Sequence, residues 1–220
     1  MTSDIYVYPV RSSGSYNAAP SYSKGIYDFN LKLVPTKVQN VHFTYYWSSL
    51  KEVVMEFDKT VYSDGYVYEL YNYKNKKISS GTASSSSTYL KNITTTQFYK
   101  VRVRSYVTVN NKTIYGEWSD YKMFGQQPKV NIKKSGKGVK LSWKKVKGAK
   151  SYTVYMSTKQ KSGYKKIKTL KKNSLKVTKF KNKKLKKNKK YYVYVVANTK
   201  FGKTTVKTPK TLTYWWKFYN

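Results

Sequence analysis

A short pattern occurs twice in this chain, and it constrains the fold more than any other feature. An apolar residue stands six positions before a tyrosine that opens a Val-x-Val strand. It appears as Ile93 before Tyr99-Lys-Val101-Arg-Val103 and again as Leu185 before Tyr191-Tyr-Val193-Tyr-Val195, 92 residues on. Other landmarks repeat at similar distances. Pro35 and Pro128 open the two units, 93 residues apart. Phe57 closes an alternating strand (Val53, Met55, Phe57) as Trp143 closes another (Val139, Leu141, Trp143), and Tyr68-Glu-Leu70 matches Tyr152-Thr-Val154. A period of this length is one small domain, so the 220 residues divide into two related units, each able to bury its own core.

The residues between these landmarks alternate with period two, and a helical period is almost nowhere to be found. Strands are expected at Val53–Asp58, Tyr66–Tyr73, Phe98–Tyr106 and Thr113–Phe124, with Val41-His-Phe43 as the start of a strand A. In the second half they are expected at Val139–Lys144, Ser151–Ser157, Tyr164–Leu170, Ser174–Phe180, Tyr191–Asn198 and Lys203–Tyr219. Many short strands separated by Gly, Asn, Ser and Lys turns indicate an all-β sandwich. Residues 1–34 stand outside the repeat as an N-terminal extension with a Ser/Gly/Ala/Pro-rich linker at Ser12–Ser23 and short strands at Ile5–Val10 and Ile26–Val34. Phe124-Gly-Gln-Gln-Pro128 is the linker between the units, short enough to allow only limited bending.

On these residues the chain resembles the fibronectin type III family. There a strand-B Trp fills the core, and a strand-F Tyr makes a tyrosine corner with a Leu six residues before it. Trp143, Leu185 and Tyr191 match residue for residue, while the first unit substitutes Phe57 and Ile93. The resemblance implies an all-β fold of two tandem fibronectin type III (Ig-like) β-sandwiches, at 35–126 and 127–220, after the short extension at 1–34. The run from Lys140 to Tyr152 also resembles modules of secreted proteins of Gram-positive bacteria, which implies an extracellular or cell-surface location.

Charge separates the halves. All nine acidic residues precede residue 121, leaving residues 1–127 at net +6, whereas residues 128–220 hold 30 lysines and no Asp or Glu. Lysine outnumbers arginine 42 to 3. Such a half repels itself at low salt and attracts polyanions. The chain has no cysteine, which excludes disulfides and thiolate chemistry. Its start lacks a signal-peptide pattern, and no apolar run approaches the ~20 residues that cross a bilayer.

Catalysis needs a nucleophile with a base, paired carboxylates or metal ligands. The single histidine, His42, stands in strand A, and no His/Asp/Glu cluster has metal-ligand spacing. Glu52, Glu56 and Asp58 are expected to share the solvent face opposite Val53, Met55 and Phe57. The second unit lacks carboxylate side chains entirely, and there is no Gly-rich phosphate loop. The expectation is a non-enzymatic module with no cofactor, no metal and no small-molecule substrate. Two sequons, at Asn92 and Asn111, carry weight only in a eukaryotic setting.

The remaining signal is the lysines. In the expected fold the A–B, C–C′ and E–F loops share one pole, which gathers Lys133, Lys134 and Lys137, then Lys159 and Lys161, then Lys183, Lys184, Lys186, Lys187, Lys189 and Lys190. Strand G ends at the same pole with Tyr214-Trp-Trp-Lys-Phe-Tyr219, offering Trp215 and Tyr219 as an aromatic surface. One reading is a polyanion-binding tip for teichoic acids, acidic polysaccharides or mucins. The other is plain solvation, with Leu212, Tyr214, Trp216 and Phe218 packing inward as an ordinary last strand. Nucleic acid is expected only as a non-specific partner, since three arginines are few for reading base edges. A phage virion-surface protein and sugar binding by Trp47, Trp118, Trp215 or Trp216 are the other readings the residues allow.

Overall fold

A computed structural model describes residues 34–47 and 49–217. The first half forms β1 (His42–Trp47), β2 (Glu52–Glu56), β3 (Gly65–Asn72), β4 (Lys77–Ala83), β5 (Ser87–Leu90), β6 (Phe98–Val109), β7 (Lys112–Tyr115) and β8 (Lys122–Gly125). The second forms β9 (Val130–Ser135), β10 (Gly138–Trp143), β11 (Ser151–Ser157), β12 (Lys165–Leu170), β13 (Ser174–Val177), β14 (Lys179–Phe180), β15 (Lys183–Lys184), β16 (Lys190–Phe201), β17 (Thr204–Lys207) and β18 (Tyr214–Lys217). Each half makes a three-stranded sheet, β1-β2-β5 or β13-β10-β9, opposite a sheet β4-β3-β6-β7 or β12-β11-β16-β17, with β8 and β18 completing the last strand. In strand letters this is A-B-E facing C′-C-F-G, the order of two tandem fibronectin type III sandwiches. The chain contains no helix among the described residues. The strands and linker expected within residues 1–33 lie outside them, and Val34 is exposed and belongs to no strand.

Alternation fills the cores. Val53, Met55, Tyr99, Val101 and Val103 are fully buried in the first, as are Leu141, Val154, Met156, Val193 and Val195 in the second. Tyr99 and Tyr191 occupy matching corners: the Thr94 amide donates to the Tyr99 hydroxyl at 2.8 Å, and the Lys186 amide to the Tyr191 hydroxyl at 2.9 Å. The repeat continues where the sequence comparison slipped. Phe57 packs edge-on against Tyr66 as Trp143 does against Tyr152. The Thr60 and Val146 amides donate to those two tyrosine hydroxyls. Tyr66, not Tyr68, is therefore the counterpart of Tyr152; a two-residue slip keeps every side chain on its face, so alternation alone does not reveal it.

Two long expected strands are each broken. Thr113–Phe124 separates into β7 and β8, and Lys203–Tyr219 into β17 and β18. At each break a hydroxyl replaces a ladder carbonyl: the Val103 amide donates to Ser119 Oγ, and the Ala197 amide to Thr208 Oγ1. Leu212 falls in the second break and is 48% exposed. It does not pack inward, because its backbone N–H and C=O both bond to Gln127.

The linker is buried. Gly125, Gln126, Gln127 and Pro128 are all enclosed. Gln126 Nε2 donates to the Glu52 carbonyl at 3.1 Å. Gln127 Oε1 accepts from the Thr211 and Leu212 amides and the Thr211 hydroxyl, while its Nε2 donates to the Leu212 carbonyl. Beside it, Phe98 opens β6 of the first sandwich yet belongs to the core of the second. Its amide donates to Lys147 O, and the Lys147 amide donates to Thr96 O at 2.7 Å. Gly148 holds φ +85° against Tyr73 and Phe98, a conformation and an approach that favour glycine.

The outer face of β3-β6 uses the arginines that are so scarce elsewhere. Arg102 lies over Trp118 at 4.3 Å and Arg104 over Tyr115 at 3.8 Å and Trp118 at 4.4 Å. A planar guanidinium stacks where an ammonium cannot. Glu69, mostly buried beside them, accepts from Tyr71, Arg102 and Lys77. Burial opposes its ionisation, but these three donors and the Arg102 charge prevail and lower its pKa to about 2.

Two outcomes are expected. A depressed carboxylate stabilises the fold above its unfolded pKa and ceases to as pH falls through its folded one, so the stability Glu69 contributes is fully present above about pH 4.3 and is lost as pH falls towards about 2. Glu69→Gln should flatten that part of the acid unfolding profile. Phe98→Ala should cost about 3–5 kcal/mol and, followed by side-chain NMR, loosen the second core although the residue belongs to a strand of the first.

Candidate functional site

The basic pole is built by the turns of the second sandwich. β10 starts and β11 ends at this pole, and β16 starts there; all three reach the junction with the first sandwich at their other ends, through the B–C loop and the F–G turn. The β9–β10 hairpin closes through Gly136 at φ +56°. A Cβ on Gly138 would meet the Val177 carbonyl at 2.4 Å, so this hairpin abuts the start of the E–F segment.

That segment forms a small hairpin the strand pattern did not reveal. Lys179 pairs with Lys184 and Phe180 with Lys183, across a two-residue turn in which Lys181 (φ 50°) and Asn182 (φ 61°) are both left-handed, the geometry of a type I′ turn. Phe180 and Leu185 are 8% exposed and anchor it in the core. Phe180 meets the Tyr191 ring edge-on, and the Tyr191 hydroxyl takes the Lys186 amide. With its apolar residues turned inward, the hairpin directs its lysines outward.

An open depression of about 250 Å³ results, lined by Lys181, Lys183, Lys184, Lys186 and Lys189 with Thr158 and Tyr191. It brings together four of the eleven expected lysines and adds Lys181, which the loop assignment missed because the hairpin was not foreseen. Thr158 carries the C–C′ turn to its rim, next to Lys159 and Lys161. Lys187 is exposed on the same loop, and Lys133, Lys134 and Lys137 are exposed on the neighbouring hairpin. Lys190 sits 4.2 Å from the face of Trp215. All four ion pairs of the described residues lie in the first sandwich, and no carboxylate side chain of the second sandwich neutralises this cluster.

The last strand divides by face. Trp216 stacks on Tyr191 at 5.5 Å, whereas Trp215 is 54% exposed. Tyr219 and Phe218 lie outside the described residues. Of the other tryptophans, Trp118 lies against both guanidiniums and Trp47 is exposed. His42 is on the surface, its Nδ1 against the Asn40 carbonyl at 2.7 Å and its Nε2 3.4 Å from Glu56. Glu56 and Asp58 are solvent-facing, bonded to Thr44 and Asn40. Among the described residues there is no group of three His, Asp or Glu that could hold a metal ion, and no helix is long and apolar enough to cross a membrane.

No protein-family model matches the sequence, and no curated protein matches it. Among solved structures the chain is similar to a two-fibronectin type III-domain segment from chicken tenascin, at 12% identity and a TM-score of 0.38, over 82% of this chain and 98% of that one. It is also similar to the central fibronectin-III array of RIM-binding protein, at 13% identity and a TM-score of 0.29, over 83% of this chain and 61% of that one.

The hairpin depends on one hydroxyl. Tyr191→Phe leaves the Lys186 amide without its acceptor and should cost about 1–3 kcal/mol. Hydrogen exchange should accelerate at Lys186 in this variant and stay unchanged there in Tyr99→Phe.

Proposed function

We propose that this chain is a non-enzymatic binding and spacer module that holds anionic polymers at the lysine pole of its second sandwich. The observation that carries the reading is the E–F hairpin: an anchored loop with outward lysines, beside two further lysine-bearing turns, with no carboxylate side chain in its sandwich. Lysine is a compact point charge suited to diffuse attraction rather than bidentate reading, which favours flexible polymers such as teichoic acids or acidic polysaccharides. Nucleic acid is bound non-specifically, through the same counterion release. In this reading the module works outside a bacterial cell, and its domains run from 35 to 126 and from 127 to 220 after the extension at 1–34. The exposed Trp215, stacked with Lys190, adds an apolar face to the rim.

Binding of the full chain to purified teichoic acid, duplex DNA and a neutral glucan, measured against salt, tests this. Replacing Lys183, Lys184, Lys186, Lys187, Lys189 and Lys190 by Gln should lower teichoic acid affinity by about tenfold or more at ~0.15 M salt and flatten its salt dependence. The same number of changes at Lys140, Lys165, Lys166, Lys168, Lys171 and Lys172 should do much less. Equal loss from both sets would leave the lysines as solvation and the chain as a spacer.

A further inference from the structure

The outer face of the β1-β2-β5 sheet carries a second surface of different chemistry. Tyr45 is 61% exposed, Tyr89 52% and Trp47 36%. Their rings form a row: Tyr45 to Trp47 at 5.5 Å and 13°, then Trp47 to Tyr89 at 6.1 Å and 22°. Two strands supply them. A register shift in β1 between Phe43 and Tyr46 adds a residue, so that Phe43 and Tyr46 both face the core while Thr44, Tyr45 and Trp47 all face solvent.

The row has a floor. Val54 pairs with Tyr89 across the sheet and belongs to neither core cluster, so it points outward; it is nonetheless 6% exposed. Trp47 and Tyr89 lie on opposite sides of β2, and their rings approach to 6.1 Å by leaning over Val54. Rings packed on a valine and against one another lose little freedom on binding.

Polar groups flank the rings. Glu52 and Glu56 stand on the same outer face, Glu56 oriented by the Thr44 hydroxyl at 2.9 Å and by His42. In a chain of 42 lysines, carboxylates here favour an uncharged, hydroxyl-rich ligand over an anionic one. Beyond Tyr89 a groove of about 550 Å³ continues over the sheet edge between β4 and β5, its lining mixed: Ser79, Ser80, Thr88 and Asn92 beside Ile78 and Lys91.

We propose that the Tyr45–Trp47–Tyr89 platform binds neutral, β-linked hexopyranose chains. A β-linked pyranose with equatorial hydroxyls presents a flat face of axial C–H groups to an aromatic ring and its hydroxyls to the side. Here the rings take the C–H faces, Glu52 and Glu56 accept from the hydroxyls, and the groove continues the path. The site is independent of the lysine pole and lies on the other sandwich.

The full chain is titrated with cellohexaose and chitohexaose at 1 M salt, where screening reaches about 3 Å and the lysines no longer contribute, using tryptophan fluorescence and calorimetry. At least one of the two should bind. Trp47→Ala combined with Tyr89→Ala should weaken it at least tenfold with melting temperature and circular dichroism retained. Tyr89→Phe, which keeps the ring, should bind as the parent does, and the six-lysine Gln variant should be unchanged. The single change Tyr45→Ala, at the most exposed ring, gives the same answer should the double variant unfold. Failure of both oligosaccharides to bind overturns the proposal, as does binding indifferent to Trp47→Ala. Sedimentation that converts from dimer to monomer in the double variant overturns it too, by making the face a contact between copies.

Discussion

After Asp120 the chain holds no Asp or Glu, and the second sandwich is organised around that constraint. Thirty lysines repel one another with no Asp or Glu among them, so shape is fixed largely by burial and by neutral hydrogen bonds. The Tyr191 and Tyr152 hydroxyls hold backbone amides, Thr208 substitutes for a ladder carbonyl, and Asn173 and Thr199 donate to carbonyls of the B–C region. Salt strengthens rather than weakens a body whose dominant long-range electrostatic effect is self-repulsion. The first sandwich is assembled differently, with Glu69 at the centre of a network of Arg102, Lys77 and Tyr71.

The same contrast sorts the two surfaces. Where carboxylates occur they offset part of the charge locally, as Glu69 does for Arg102 and Lys77. Where they are missing, a single tyrosine corner turns a lysine-rich crossing into a fixed outward array. The tyrosines that look like surface decoration in the composition serve three distinct roles: corner pins such as Tyr99, cladding against guanidinium such as Tyr115, and exposed platform such as Tyr45.

The sheets were largely legible because their inner strands alternate strictly. Leu141 and Trp143, or Val193 and Val195, leave no other face to bury. The edge strand Lys77–Ala83 lies beyond that signal: Lys-Ile-Ser-Ser-Gly-Thr-Ala has almost no apolar pattern, and it is held to β3 by backbone bonds and the Lys77–Glu69 ion pair. The E–F hairpin was hidden for a similar reason, since a lysine in a left-handed turn position leaves no Gly signature. The lysine pole followed from topology once the strand order was right. The aromatic platform did not, because it needs a bulge near Tyr45 and a diagonal approach between strands 42 residues apart at Trp47 and Tyr89. Neither is written in local periodicity. The role of Gln126 and Gln127 was likewise invisible, two polar residues in a linker being ordinarily solvated.

That buried linker bears on how the chain would transmit force. Tension entering through the first sandwich leaves β8 and passes at once into side-chain amides bonded to Glu52 on one side and to Thr211 and Leu212 on the other, with Phe98 wedged into the neighbouring core. There is no slack segment to extend before these contacts shear. A pull or a twist on one sandwich therefore loads the side-chain bonds of Gln126 and Gln127 before the backbone between the two can extend.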